Sequence, residues 1–375
     1  MSKPPMTIVI MSRLYNNVAG GVERMSIALA NAMCERGHDV HLLSWDHADA
    51  TTHYPLDARI TWHKLDMGDA NVKAGWRRRI SRIGYIRGLM REIGPDVVVG
   101  FQLGTFWNAV AATFGKSIRV VAAERNAPHR YDHLKAGKRR GLLLQTLRMA
   151  DRITVQFPNY IDGYPPNLRH RIVAIENPVL PANGQANPAG RPGEWKKLIS
   201  VGRLSYQKHQ AVLIEAFALI AEKNSDWQLV FVGNGEDESK LRALVHAKGL
   251  EERIEFTGAV TDVSAHYRAA HLFCLSSRWE GFPNAIAEAM AHGLPCVGYR
   301  DCAGMPQLIS DGETGALADG NGRAETLATA LMKLTCDDAG RAEMGRKARE
   351  TVGKYTPHLI FDRWEEMFRE LTVNK

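Results

Sequence analysis

The stretch Ser276-Ser277-Arg278-Trp279-Glu280-Gly281-Phe282-Pro283-Asn284-Ala285-Ile286-Ala287-Glu288-Ala289-Met290 decides how the rest of the chain is read. Before it, His271-Leu272-Phe273-Cys274-Leu275 is a short apolar run that reads as a buried strand. After Pro283 the apolar spacing becomes helical and lasts to His292-Gly293, where a glycine can end a helix. Strand, loop and helix in that order aim the N–H groups of a helix start beyond the strand's carboxyl end, a place that favours phosphate. Glu280 on the loop and Glu288 about one turn inside the helix flank that point. Two readings are open for this pair. They are a solvated loop acid and an early helix charge complementing the dipole, or two acceptors for the hydroxyls of one diphosphate-bearing ligand.

A chain of 375 residues is long enough for two or three domains, and 45% hydrophobic with 24% charged residues excludes a disordered chain. The run Thr7-Ile8-Val9-Ile10-Met11 is too short for a signal-peptide core or for a membrane span of about 20 residues. Cys34, Cys274, Cys296, Cys302 and Cys336 are scattered, without a C-x-x-C. Free thiols in a reducing, cytoplasmic compartment are expected. The excess of Lys and Arg, a formal net charge of +7, is concentrated in two clusters. One is Lys73, Arg77, Arg78, Arg79, Arg82, Arg87 and Arg91; the other is Lys135, Lys138, Arg139 and Arg140. Such clusters attract nucleic acid, anionic lipid or phosphorylated substrates, and charge alone does not choose among them.

Strand and helix patterns alternate along the first half. A strand ends at Ser12, a loop closes on Gly20-Gly21, and a helix runs from about Val22 to Arg36. Strands follow at Val40 to Trp45, Ile60 to Leu65, Asp96 to Phe101, Arg119 to Glu124, Arg152 to Gln156 and Ile172 to Ile175. Adjacent glycines after a long loop do not match G-x-G-x-x-G, which argues against a dinucleotide fold. Trp76 to Ile93 is a basic amphipathic helix with Trp76, Ile80, Ile83, Leu89, Met90 and Ile93 as apolar members. It reads either as an element for an anionic membrane surface or as an ordinary packed helix, and in both cases its apolar side is expected to be buried. A helix is expected over Lys138 to Met149.

Breakers crowd the run from Asn177-Pro178 to Pro192-Gly193 and mark a linker, with a domain boundary near residue 180. The alternation then restarts: strand Lys197 to Val201, helix Gln210 to Lys223, strand Gln228 to Gly233, helix Glu236 to Lys248, strands Ile254 to Thr257 and His271 to Leu275, then Pro295 to Tyr299. Helices are expected over Arg323 to Thr335, Arg341 to Tyr355 and Pro357 to Leu371. Two such halves imply two Rossmann-like parallel-sheet domains, 1–180 and 181–355, with an interdomain cleft.

Gly202-Arg203-Leu204-Ser205-Tyr206-Gln207-Lys208 follows the strand ending at Val201. Arg203 can bridge two phosphate oxygens and Lys208 adds a point charge, so the pair suits a departing diphosphate. With Glu280-Gly281-Phe282 and Glu288 spaced as E-x7-E, the chain resembles the retaining glycosyltransferases of family four, which have the GT-B fold and include bacterial polysaccharide and lipid-linked oligosaccharide enzymes. The resemblance is strongest from residue 197 to 315 and implies a transferase moving a hexose or N-acetylhexosamine from a UDP-sugar to a glycan, lipid-linked acceptor, with retention of configuration.

The same resemblance implies roles for particular residues. Arg203, Lys208 and Gly202 would meet the diphosphate, Glu280 the sugar hydroxyls and Glu288 the ribose diol. Backbone from Gly281 and Phe282 through Pro283, Asn284 and Ala285 would cradle phosphate, and Val260 and Thr261 would read the base. Gly20 and Gly21 resemble the acceptor-side glycine loop. Many relatives have a histidine near Glu124-Arg125-Asn126; here Glu124, Asn126 or His129 stands in its place. The final helix, within 356–375, is expected to pack back on the first domain by the same analogy. No Asp-x-Asp, H-E-x-x-H or Cys/His cluster occurs, so no metal and no cofactor are expected beyond the donor itself. A sugar-nucleotide epimerase of the same fold is the alternative enzyme. A nucleic-acid module is the alternative outside enzymes, disfavoured because the basic residues lack interleaved stacking aromatics. The expected location is cytoplasmic, peripheral on the inner face of the membrane.

Overall fold

The structure is a computed structural model that describes residues 4–18, 20–69, 72, 75–128, 130 and 140–373. His129, Lys73, Lys135, Lys138 and Arg139, named above, lie outside the described residues. The chain divides into two compact units, Met1–Pro178 with His358–Lys375, and Val179–Pro357.

The first unit begins β1 (Thr7–Met11), α1 (Gly21–Glu35), β2 (Asp39–Ser44), β3 (Thr61–Lys64), α2 (Trp76–Ile93), β4 (Val97–Phe101) and α3 (Gln102–Thr113). It continues with β5 (Arg119–Ala123), α4 (Arg140–Gln145), β6 (Arg152–Val155) and β7 (Ile172–Ala174). Its seven strands lie in the order β3-β2-β1-β4-β5-β6-β7, and every recorded pairing is parallel. Strands covered on both faces need apolar side chains at successive positions rather than alternate ones. Ile8, Val9 and Ile10, like Val97, Val98 and Val99, are accordingly fully buried.

In α2 the burial departs from the sequence expectation. Trp76 and Ile80 are 68% and 62% exposed, whereas Arg82 is buried together with Ile86, Leu89 and Met90. Arg82 lies with its guanidinium 5.3 Å from the Trp45 ring, so a cation over an aromatic face takes the inward position. The amino-terminal turns therefore show apolar side chains outward. The helix expected over 138–149 is, in its described part, α4 followed by a 3-10 turn at Thr146–Met149.

The second unit contains β8 (Lys196–Val201), α5 (Gln210–Ile220), β9 (Trp227–Val232), α6 (Glu238–Ala247), β10 (Ile254–Phe256), α7 (Val263–Arg268), β11 (Leu272–Cys274) and α8 (Asn284–Ala291). It ends with β12 (Cys296–Tyr299), α9 (Met305–Leu308), β13 (Gly315–Ala318), α10 (Ala324–Thr335) and α11 (Asp338–Val352). The six strands follow the order β10-β9-β8-β11-β12-β13, again with parallel pairings. The chain lays down β8, β9 and β10 outward to one side and then returns to the other side of β8 with β11. That reversal is a topological switch point, where parallel sheets open a crevice beyond their carboxyl ends. The residues that follow β8 and β11 are Gly202–Lys208 and Ser276–Pro283, the two motif loops.

The last helix, α12 (Pro357–Val373), belongs to the first unit. It buries Ile360, Phe361, Trp364, Met367, Phe368 and Leu371. The Trp364 ring stacks on Phe101 at 6.5 Å, Arg119 Nε donates to the Leu371 carbonyl at 3.1 Å, and Arg36 pairs with Asp362 at 2.8 Å. All five cysteines are unpaired thiols, and only Cys336 is exposed. Among the described residues no helix is long and apolar enough to cross a membrane.

Candidate functional site

At the switch point of the second unit the two loops are bonded to each other. Arg278 N–H donates to the Gln207 carbonyl at 2.8 Å, Gln207 Nε2 donates to the Trp279 carbonyl at 3.0 Å, and Ser276 Oγ donates to the Lys208 and His209 carbonyls, both at 3.1 Å. This stitching brings Lys208 Nζ to 2.7 Å from Glu280 Oε1, with side-chain exposures of 20% and 7%. The lysine stem lies over Gly202, where an added Cβ would stand 3.3 Å from Lys208 Cε. Two motif residues 72 positions apart thus form one charge-assisted hydrogen bond in a largely dry place.

Arg203 stands differently. Its side chain is 73% exposed, and Nε donates to Glu236 Oε2 at 3.0 Å. Glu236 belongs to the loop after β9, which is packed tightly on the Arg203 loop. Leu204 N–H donates to the Asn234 carbonyl at 2.9 Å, and a Cβ at Gly235 would stand 2.1 Å from the Leu204 carbonyl oxygen. No side chain fits there, which accounts for the glycine. With Nε held by Glu236, the two terminal nitrogens of the guanidinium remain as a fork suited to phosphate oxygens.

Glu288 lies on α8, where Tyr267 of α7 donates its hydroxyl to Glu288 Oε2 at 3.1 Å. The Tyr267 ring stacks on His292 with centroids 5.0 Å apart, and His292 Nδ1 donates to the Glu288 carbonyl at 2.8 Å. At the helix start, Asn284 N–H is donated to the Phe282 carbonyl at 2.8 Å. That part of the expected phosphate cradle is therefore spent within its own turn, leaving Gly281, Phe282, Pro283 and Ala285 as the loop that surrounds it. Gly233 N–H donates to the Gly258 carbonyl at 2.9 Å, so Val260 and Thr261 follow the end of β10 at the same edge. His209, with its φ at +52°, precedes α5. Burial, then the charge of Arg278, push its imidazole down to about 4. It is neutral at pH 7 and adds no positive charge to the Lys208 loop.

In the first unit, Gly20 and Gly21 open α1, and the Glu23 carboxylate folds back over Gly20, where a Cβ would meet its Oε2 at 2.1 Å. Burial, ahead of the nearby Asp46 charge, raises the Glu23 carboxyl. Glu124 closes β5 with 5% exposure, and Asn126 beside it is half-buried. Desolvation pushes the Glu124 carboxyl from 4.5 up to about 7, against the pull of Arg130 and Arg125. Its folded form holds the proton more tightly than the unfolded chain does, so stability from this group is full below pH 4.5 and is lost as pH rises through 7. Glu124→Gln is expected to flatten that slope and to gain up to about 3 kcal/mol over the parent at pH 8, with little gain at pH 4.5. Urea midpoints of both proteins across that range check it, and parallel slopes would contradict it.

Residue type and spacing single out Glu280, Lys208, Arg203 and Glu288 but not the side chains that hold them. Gln207 is visible only as part of its motif. Glu236, at the start of the helix expected over Glu236 to Lys248, lies in the loop before it, since the helix begins at Glu238. Tyr267 gave no signal, because its helix spans only Val263–Arg268.

Two parallel sheets of seven and six strands, the second with its motif loops at the switch point, are the architecture of a two-unit α/β protein, and the family matches and structural neighbours make it a glycosyltransferase of the GT-B fold. The model for glycosyl transferases group 1 matches residues 185–351, and the glycosyltransferase family 4 model matches residues 19–158. The chain belongs to this family. A glycosyltransferase of Haemophilus influenzae is 28% identical over 92% of this chain and 96% of its own. A Campylobacter jejuni α-1,4-N-acetyl-D-galactosaminyltransferase, named for a glycan acceptor on diphospho-undecaprenol, is 22% identical over 94% and 96%. Among solved structures, the sucrose-phosphate synthase of Thermosynechococcus elongatus superposes with a TM-score of 0.84 at 18% identity, over 99% of this chain and 100% of that one. HepE of Anabaena, solved with UDP and glucose, gives 0.73 at 18%, over 97% and 99%. At these identities the structural likeness concerns the fold.

Proposed function

We propose that the chain is a retaining, metal-independent transferase. It moves a hexose or N-acetylhexosamine from a UDP-sugar to a lipid-linked glycan during polysaccharide or glycoconjugate synthesis at the inner face of the cytoplasmic membrane. The observation that carries this reading is the Lys208–Glu280 pair at the switch point, beside the start of α8. Charge grows on the diphosphate as the glycosidic bond breaks, and fixed cations in a dry site stabilise it most where it is largest. Lys208 and the Arg203 fork supply that charge, and the sequence has no Asp-x-Asp to supply it through a divalent ion instead. Glu280, tied through Oε1 to Lys208, is held in place to accept from the sugar's hydroxyls. Glu288, held by Tyr267, accepts from the ribose diol. Val260 and Thr261 present backbone to the base, and Gly20, Gly21, Glu124 and Asn126 face the acceptor. The relative bound to UDP and glucose and the transferase named for an undecaprenyl acceptor support the donor and acceptor classes.

Incubation with UDP-hexoses and UDP-N-acetylhexosamines and a diphospho-undecaprenyl glycan tests the reading. The expected product carries the donor's α-anomeric configuration by NMR. An inverted product overturns retention, and an epimerised donor formed without acceptor overturns transfer.

The membrane part of the proposal stands on α2. Trp76 and Ile80 face outward, with Arg77, Arg78 and Arg79 exposed between them. Interfacial aromatic and aliphatic groups among arginines suit an anionic lipid surface, where each basic residue contributes about 1 kcal/mol. The protein is expected to sediment with phosphatidylglycerol-rich vesicles at low salt and to be released at high salt, as screening shortens the reach of its charge. Trp76→Glu should weaken sedimentation. Failure to bind at low salt would point to a soluble acceptor.

A further inference from the structure

The second unit has a cavity of about 600 Å³ at the amino ends of β8 and β9, lined in part by Arg191, Glu194, Trp195, Lys196, Asp226 and Asp338. The motif loops lie at the opposite, carboxyl end of the sheet. Strand β8 has six residues, so its length alone sets the two places about 17 Å apart. We infer that this cavity is a second carbohydrate site, which holds a neutral oligosaccharide segment by stacking a sugar ring on Trp195. This site lies in a different part of the unit from the loops proposed to carry the transfer reaction.

The Trp195 indole is 49% exposed and is steadied from one side by the Arg253 guanidinium, 5.4 Å from the ring centroid. Arg253 is itself fixed, since Nε donates to the Trp227 carbonyl at 2.8 Å and a terminal nitrogen to the Asn224 carbonyl at 2.6 Å. A half-exposed tryptophan held by a fixed cation is a preformed platform rather than a loosely packed surface ring. The polar rim is fixed as well. Lys196 Nζ lies 3.0 Å from Asp338 Oδ1 and 3.3 Å from Asp226 Oδ2, and Glu194 Oε2 accepts from Arg191 N–H at 3.0 Å.

Charge selects the ligand class. The basic groups nearest the indole are already committed: Lys196 to Asp226 and Asp338, Arg341 to Asp338, and Arg253 to the Trp227 and Asn224 carbonyls. A phosphorylated or sulfated ligand would have to break these bonds to gain a cation and would still meet Glu194, Asp226 and Asp338. An apolar ligand would leave the rim's charged groups desolvated without new partners. A sugar meets neither penalty, since its C–H face covers the indole while its hydroxyls donate to carboxylates and accept from the ammonium. The volume lies within the range of small-molecule sites.

Saturation-transfer NMR with the tetrasaccharides of four neutral series, gluco-, galacto-, manno- and chito-, tests the inference on the full chain. At least one series is expected to bind, with saturation of the Trp195 indole, and UDP is expected not to displace it. Trp195→Ala and Trp195→Leu should each weaken binding by at least about tenfold, a loss of about 1.4 kcal/mol, whereas Trp195→Phe should keep most of it. The leucine and phenylalanine variants retain bulk, so a fold defect would appear in both and is distinguished by thermal melting. Absence of binding in all four series, undiminished binding by Trp195→Leu, or displacement by UDP would overturn the inference. Sugar binding here does not depend on catalysis, so transfer could fail while this result stands.

Discussion

Lys208→Ala is expected to destabilise the second unit by about 3 kcal/mol, because it leaves the Glu280 carboxylate in a desolvated place without its cation. Glu280 has only 6% exposure, and the Lys208 ammonium bonds it from 2.7 Å. The lysine keeps one fifth of its side chain in solvent, which places the cost at the lower end for buried pairs. Glu280→Gln in the Lys208→Ala background should restore much of the loss, since a neutral amide does not carry the charge whose burial is penalised. Urea unfolding of the two single variants and the double variant measures the coupling. Additive effects would mean that the contact does not hold the two loops together.

Arg203→Ala is expected to lower turnover by about two to three orders of magnitude, the size of a lost oxyanion donor, while costing the fold no more than about 1 kcal/mol. The separation follows from its setting. With 73% of the side chain exposed and Glu236 as its partner, Arg203 buries little and packs against little. Its chemistry arises only when a diphosphate presents oxygens to the fork. Arg203→Lys should recover part of the rate, since it keeps the charge but not the planar pair of donors. Steady-state rates with saturating donor, set beside melting temperatures, check both halves. Unchanged turnover in Arg203→Ala would remove this residue from the reaction.

Much of the fold was legible because parallel strands covered on both faces appear as unbroken apolar runs and their helices as periodic ones. The unit from His271 to Gly293 shows this well: strand, loop and α8 lie where the spacing places them, and Gly293, with φ at +79°, follows the helix end. Other parts carried weaker signals. β13 is Gly-Ala-Leu-Ala, which has no β-branched or aromatic residue and becomes a strand only by pairing with β12. α3 begins at Gln102, whose φ of +68° is a conformation that no propensity for glutamine foretells. In α2, periodicity assigns apolar residues inward, but Arg82 packs under Trp45 and Trp76 turns outward, a choice made by tertiary contacts.

The candidate site divides in the same way. Its charged residues stand out by type and spacing, whereas the bonds among them depend on strand order. Lys208 meets Glu280 because β11 pairs with β8, and Glu288 meets Tyr267 across 21 residues. Neither contact has a sequence signature, since register and crossover direction arise from the packed sheet.

A crystal structure with bound UDP tests the central claim most directly. The diphosphate is expected within about 2.7–2.9 Å of the Lys208 ammonium and the Arg203 fork, beside the start of α8, with the ribose hydroxyls on Glu288. Diphosphate density away from both cations, with Glu288 still bonded only to Tyr267, would contradict it.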